Sequence, residues 1–539
     1  MISRIITNSS SHIELPLPTL QLNPDDNRCT GPFVPSISTN HMLKSYSTSI
    51  DLRKNKIHIV GLAFLFLGWL NLPAQVQVGQ VIYGDTLGDA AGSALSMPDE
   101  KTIAIAAHGN SGKGLSGHVR VLSLNGGQWI QKGPDIYDLS EHDWTGWSID
   151  MPDANTLAVG TINSNIPGKR AGHVRIFEWD GQSWEQKGQT IVGESAGDRC
   201  GSSVSMPDAN TIAIGAYQNG GNGPQSGHVR IFTWDGEFWI QKGQDIDGEG
   251  SFDRSGCSVC MPDPNTIAIG AYLNNGNGIN AGHVRIYKWN DSAWIQKGQD
   301  IDGQFAGFRL GFSVSMPDEN TIAIGADLIE APGKDTGRIQ VFTWYNHRWV
   351  QKGQDIMGSE VKDLTGFSVS MPDANTVAYG AFGSSLTKKQ AGVVRMFSWS
   401  GSQWMQIGQD IYGELPFDWF GHSLSMPDHK TIGIGAPGDF RDTGFVKVYR
   451  LPESRFIYKP VLENIVVYPN PTKDEITIQF DEVQHRIELS LQTPNGKILD
   501  VQTHQNISVL PYKIPAPPGV FLLHISNGLQ EATIRVVKE

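Results

Sequence analysis

Cysteine is scarce in this chain. Four residues in 539 (Cys29, Cys200, Cys257, Cys260) are too few for a disulfide scaffold, so stability has to come from packing. Positive charge is also in short supply: 42 Lys and Arg stand against 55 Asp and Glu, for a net charge of −13. Without a long basic run, the chain lacks what a sequence-independent nucleic-acid binder uses to displace counterions, and no nucleic-acid partner is expected. No P-loop or HExxH motif occurs, so the usual signatures of nucleotide hydrolysis and zinc proteolysis are missing. The 61 glycines and 29 prolines make the chain turn-rich, yet below the roughly 25–30% that marks low-complexity disorder.

Long apolar runs are missing apart from one. Residues 57–70 (IHIVGLAFLFLGWL) follow Lys44, Arg53, Lys54 and Lys56 and precede Asn71-Leu72-Pro73-Ala74. A bilayer takes about 20 residues to cross, so this run reads as the apolar centre of a cleaved secretory signal, residues 42–74. A buried strand or a membrane anchor is the competing assignment. The polar stretch before Met42 is expected to be a non-native or disordered extension (residues 1–41), with translation starting at Met42 or Met1. The mature chain is expected to have no transmembrane domain.

What the sequence has in abundance is repetition. Met-Pro-Asp begins at Met97, Met151, Met206, Met261, Met316, Met371 and Met426, spaced by 54 and then five times by 55 residues. Each copy follows the order of residues 201–248: GSSVSMPDANTIAIGA, a Gly/Asn-rich stretch, then SGHVRIFTWDGEFWIQKGQDIDG. The first two alternating or β-branched runs are split by Pro207-Asp208-Ala209-Asn210 and the last two by Asp235-Gly236, both turn signals. Four strands per repeat of this length predict one blade of a β-propeller. The seventh copy ends after its third strand (Gly444–Tyr449), while Gln77–Gly84 stands alone before the first Met-Pro-Asp. That orphan strand would complete the last blade and remove two open sheet edges, giving an all-β, seven-bladed β-propeller over residues 77–450.

Trp419-Phe420-Gly421-His422-Ser423-Leu424 with Ile432-Gly433-Ile434-Gly435-Ala436-Pro437, and Leu310-Gly311-Phe312-Ser313-Val314 with Ile322-Ala323-Ile324-Gly325-Ala326, resemble the FG-GAP repeat of integrin-α-type propellers. The resemblance implies an extracellular propeller of the adhesion or recognition type. In that family some blades carry a calcium loop between the first two strands. Here that connection is only Pro-Asp-x-x-Thr, as at Pro207–Thr211, so calcium is not carried over and no cofactor is expected.

After a linker (residues 451–462) the repeat stops. Short alternating runs at 465–468, 475–480, 487–491 and 520–525 predict a small Ig-like β-sandwich over residues 463–539. Its opening Tyr468, Pro469, Asn470 and Pro471, the Pro518–Leu523 phrase and the terminal Ile534–Lys538 resemble the C-terminal sorting domain of type IX secretion in Bacteroidetes. The resemblance implies recognition of residues 463–539 by that machinery and a secreted or cell-surface destination.

Candidate chemistry lies in the loops joining one blade to the next. An acid recurs there at Asp89, Asp143, Asp198, Asp253, Asp363 and Asp418, with Phe308 in the remaining copy. The acids form either a ring for a cationic or polyhydroxy ligand or a set of local turn acceptors; a ligand seldom needs nearly every blade, whereas a turn does. His118, His173, His228 and His283 recur on third strands, but those of adjacent blades lie roughly 14 Å apart at about 4.8 Å per strand, too far to share a metal. No metal site is expected. The paired Trp residues about the third-to-fourth-strand turn are expected to pack, and Cys257 and Cys260 to face opposite sides of a strand.

Function is better sought where the repeat breaks. Trp144 and Trp419 follow ring acids, with Phe252, Phe305, Phe308 and Phe417 in related loops; these aromatics would stack on sugar rings or pack over a blade edge. The expected function is binding or adhesion to a polysaccharide or surface protein. A glycosidase or lyase, which needs paired carboxylates, and a purely structural surface protein are the alternatives.

Overall fold

The computed structural model describes residues 75–109, 116–138, 143–327, 336–438, 442–451, 465–493, 497–526 and 531–539. The expected extension, the signal segment and nearly all of the linker lie outside them. The third repeat shows how a blade is built. Strands Ser203–Asp208, Thr211–Ala216, His228–Trp234 and Trp239–Gln241 form an antiparallel meander, and Ile246–Asp247 resumes the outer edge beside His228–Val229. Seven such sheets are present, and their first strands neighbour one another round a closed ring.

The second strand of every blade is buried along its whole length. Blades stack against both of its faces, which is why Thr-Ile-Ala-Ile-Gly-Ala reads as a continuous apolar run without alternation. The ring closes as the orphan strand requires. Val76 and Gln77 pair with Arg450 and Tyr449, Ile82 and Tyr83 with Val446 and Phe445, and Val78 N donates to Val448 O at 2.8 Å.

The Met-Pro-Asp motif has a separate physical reason for each residue. In six blades the ladder slips between the residue before Met and the Asp, and Pro, with no N–H, sits in that bulge. The bulge frees the Met amide, which donates across to the neighbouring blade: Met151 to Ser96 Oγ, Met261 to Ser205 Oγ and Met371 to Ser315 Oγ, each at 3.0 Å. Met97 reaches Ser425 Oγ at 3.0 Å and carries the chain of bonds across the closure. Two copies vary the acceptor, with Asp150 Oδ2 taking Met206 N at 2.7 Å and Cys260 Sγ taking Met316 N at 3.2 Å. The Asp of the motif caps the turn, as where Asp208 Oδ1 accepts Asn210 N at 2.8 Å.

The outer edge is clamped by tryptophan. Trp239 Nε1 donates to Lys187 O of the preceding blade at 2.8 Å, and Lys187 Nζ lies 5.4 Å over the Trp234 ring. Lys132, Lys242, Lys297 and Lys352 repeat the arrangement, so these tryptophans pack.

The C-terminal module is a five-stranded sheet that runs through two long strands, Glu475–Gln492 and Ile498–Lys513. A register shift between Gln479 and Gln484 changes which alternate residues face inward: Ile476, Ile478 and Phe480 before it, Ile487, Leu489 and Leu491 after it, all in one core. The runs at 475–480 and 487–491 are thus the two halves of one continuous strand.

Candidate functional site

The loops between blades carry the recurring acids, and the structure places them inside. Asp89, Asp143, Asp198, Asp253, Asp363 and Asp418 are buried, as is Phe308. Asp89 accepts the amides of Asp85 and Thr86 at 2.6 and 2.8 Å, and Asp418 those of Glu414 and Leu415, both at 2.8 Å. Asp363 takes Ser359 N at 2.9 Å and Glu360 N at 3.2 Å. Asp198 and Asp253 each take a loop amide at 2.8 Å and a side-chain amide from the second-to-third-strand loop, Asn219 at 3.2 Å and Asn274 at 3.0 Å. These carboxylates fix both sets of loops on one face. Phe308, in the acid's place in blade five, lies under the Arg338 guanidinium at 4.8 Å.

The residue after each acid is held in the left-handed region in all seven blades: Ala90, Trp144, Arg199, Arg254, Arg309, Leu364 and Trp419, with φ between 54° and 60°. Such a conformation is costly for a side-chain-bearing residue. The next residue but one is Gly, also left-handed, as at Gly256 (φ 81°), where a Cβ would meet His228 O at 2.6 Å. This turn brings three variable columns together at the axial mouth: the residue after the acid, the residue after the Gly, and the residue after the second strand.

Their side chains form a continuous belt. Trp144 and Trp147 stack at 5.5 Å with 13° between planes, and His108 of blade one lies 5.3 Å from Trp147. His422 of blade seven comes within 3.2 Å of Ser93 O in blade one and 4.7 Å of the Phe367 ring. Phe382 touches Phe367 at 4.6 Å and Trp419 at 5.9 Å, and Phe312 meets Phe367 and Tyr272 at 5.0 and 5.2 Å. Cations then alternate with rings: Arg309 over Tyr272 at 4.8 Å and Arg254 over Tyr217 at 5.4 Å. Arg199 donates to Asn163 Oδ1 of blade two. Burial pushes the His108 imidazole down to about 4, and burial together with His108 does the same to His422, so both are neutral near pH 7.

Of the residues singled out from sequence, Trp144 and Trp419 belong to this belt; Trp144 is 37% exposed. Phe305 packs edge-on against Phe308 at 5.0 Å, and Phe417 sits under Lys389 at 5.0 Å. Trp147, Tyr217, Tyr272, Phe312, Phe367, Phe382, His108, His422 and the three arginines were missed. Their signal is variability beside fixed columns, directly after the Gly and after the second strand.

The third-strand histidines also find partners that sequence reasoning did not consider. Adjacent blades do not supply them; acids of the loop entering the same blade and of its outer segment do. His228 faces Glu194 and Asp245, and His283 faces Glu249 and Asp300. Cys200, Cys257 and Cys260 are free thiols, and burial raises Cys257 to about 11 and Cys260 to about 12.

In the C-terminal module, Tyr468, Pro469, Asn470 and Pro471 are exposed and tied to the last strand, Glu531–Lys538. Asn470 Nδ2 donates to Arg535 O at 2.7 Å, and Asn470 Oδ1 accepts Val537 N at 2.9 Å.

Residues 466–539 match the secretion system C-terminal sorting domain family. The protein is therefore a seven-bladed propeller joined to a type IX sorting domain, and it is secreted or displayed at the outer cell surface. Among the described residues no helix is long and apolar enough to cross a membrane. No curated protein matches the chain. Solved structures similar to it include the β-propeller domain of the Trilobed protease from Pyrococcus furiosus, at 12% identity and TM-score 0.40, covering 70% of this chain and 97% of that one. The GH74 xyloglucanase from Xanthomonas campestris is similar at 13% identity and TM-score 0.37, covering 74% of this chain and 59% of that one. The α-L-arabinanase from Penicillium chrysogenum is similar at 9% identity and TM-score 0.36, covering 71% and 99%.

Proposed function

We propose that the protein is an exported binding propeller whose axial mouth takes a polysaccharide, with an adhesion-type role at the cell surface or after release. The belt of aromatic and guanidinium side chains carries this reading. Flat, partly exposed rings suit the apolar faces of sugars, and guanidiniums in three successive blades, Arg199, Arg254 and Arg309, favour a carboxylated or sulfated glycan. The buried ring acids are already engaged, with backbone amides donating to Asp89, Asp198, Asp253, Asp363 and Asp418, which supports binding over glycosidic cleavage. The reading assigns residues 42–74 to export across the inner membrane, 77–450 to binding and 463–539 to sorting. FG-GAP kinship and a Bacteroidetes origin form part of it.

The test is a screen of the full-length protein against neutral and acidic polysaccharides. Binding to an acidic glycan is expected, weakened at least tenfold in Trp144→Ala and in Trp419→Ala with circular dichroism unchanged. Binding that survives both substitutions, or glycan turnover abolished by Asp363→Asn, would overturn the reading.

A further inference from the structure

In blades three and four the same constellation occurs twice. Glu194 from the loop entering blade three, His228 from its third strand and Asp245 from its outer segment bring one ligand atom each within 4.8 Å of one another; Glu249, His283 and Asp300 do the same in blade four. His228 Nδ1 lies 3.9 Å from Glu194 Oε2 and 3.7 Å from Asp245 Oδ2, and His283 Nδ1 lies 3.8 Å from both Glu249 Oε2 and Asp300 Oδ2. These distances are too long for hydrogen bonds. Ligands at about 2.1 Å from a tetrahedral zinc would stand roughly 3.4 Å apart, so each imidazole nitrogen is within a few tenths of an ångström of that spacing from its two carboxylate oxygens.

Both imidazoles are buried, at 1% exposure, and among the described residues neither makes a hydrogen bond; their Nε2 atoms have no partner. Each aspartate is held by its far oxygen and turns the near one to the ring. Gln241 Nε2 donates to Asp245 Oδ1 at 2.6 Å and Gln296 Nε2 to Asp300 Oδ1 at 2.5 Å. Arg230 and Arg285 stand 3.7 Å from Glu194 Oε1 and Glu249 Oε1, while each arginine anchors its NH2 on a backbone carbonyl at 2.6 Å. Outer partners that orient inner ligands in this way are the habit of metal sites.

Blades one, five and six serve as internal controls. In blade one Asp85 and Asp89 stand with His118, but Arg120 pairs with Asp85 at 2.9 Å and Asp89 already accepts the amides of Asp85 and Thr86. Blades five and six lack the set. Gln304 and Ser359 replace the glutamate, and the outer acid is closed by a side-chain cation instead: Arg338 on Asp355 at 2.5 Å and Arg395 on Asp410 at 2.7 Å. In blade four Glu249, Asp300 and Asp302 face one arginine, Asp302 being 3.9 Å from His283 Nδ1.

We propose that Glu194, His228 and Asp245, and equivalently Glu249, His283 and Asp300, bind one first-row divalent cation each. Zinc or manganese suits the mixed imidazole and carboxylate donors better than calcium, which favours all-oxygen sites. Each ion would tie the loop entering a blade to that blade's outer edge. Calorimetric titration of the untagged full-length protein with Zn²⁺ is expected to give two ions per chain, reduced to one in Glu249→Gln and to none in Glu194→Gln/Glu249→Gln. Pulsed EPR of the Mn²⁺ form is expected to show imidazole nitrogen coupling. Both glutamates are near the surface (side chains 45% and 48% exposed), so the variants should melt with wild type in EDTA, while zinc should stabilise wild type most, Glu249→Gln less and the double variant not at all. Fewer than two ions on wild type, or a stoichiometry that persists in the double variant, would overturn the proposal.

Discussion

The outer edge of the propeller and its axial mouth are built from the same repeats under opposite rules. At the edge, Lys132, Lys187, Lys242, Lys297 and Lys352 each sit over two tryptophans of the next blade in the same geometry. At the mouth no two blades present the same trio: Trp144, Trp147 and Ile162 in one, Arg309, Phe312 and Asp327 in another. Uniform columns lie where every blade has the same packing problem. Variable columns lie where packing leaves freedom, and that is where recognition can be written.

This contrast can be broken by experiment. Trp239→Ala removes a side chain that is 2% exposed and hydrogen-bonded to Lys187 O, and should cost about 3–5 kcal/mol of stability by urea unfolding. A cost below 1 kcal/mol would mean that the clamp does not hold the blades. The mouth should respond to pH instead. His108 and His422 are depressed to about 4 in the folded chain, against about 6.5 unfolded, so the unfolded chain takes up protons first as pH falls. Stability is full above about 6.5 and is lost on descent to about 4, by roughly 3 kcal/mol for the pair after discounting for partial exposure. Melting between pH 7 and 4 checks this, and His108→Gln/His422→Gln should flatten the slope.

A smaller effect is expected at the inner ring. Ser205→Ala leaves the Met261 amide, which donates to Ser205 Oγ at 3.0 Å, without its acceptor, at a cost of about 1–3 kcal/mol. The smallest stability change should come from Trp144→Ala, under about 1 kcal/mol for a ring 37% exposed, even as glycan binding falls. Equal losses of stability at Trp144 and Trp239 would erase the distinction between edge and mouth.

Blade number, strand order and closure of the last blade by the Gln77–Gly84 segment were legible because each is written in repetition and in one conspicuous gap. The purpose of Met-Pro-Asp was less so, since the Met amide serves a neighbouring blade that no single repeat reveals. At the mouth, Trp144 and Trp419 could be seen because they stand beside a recurring acid. Phe312, Phe367 and His422 could not, because each occupies a column filled by Ser, Cys or Trp elsewhere. The histidines were weighed against histidines of other blades, whereas Glu194 and Asp245 come from either side of His228 on the way into and out of one blade. In the sorting domain the short apolar runs were legible, but the shift near Gln484 that makes them two halves of one strand breaks alternation and hides the continuity.

The pairing of Val76–Tyr83 with Phe445–Arg450 bears on how such a protein could change its size. Loop-closure entropy grows as the logarithm of length, so duplicating one unit into an eighth would raise the cost of joining the ends by only about 0.1 kcal/mol. The join would accept an altered count almost without penalty. Seven must therefore be enforced by the wedge angle between neighbours, set where each inner strand leans on the next, and a change of symmetry in a descendant of this chain would have to begin there.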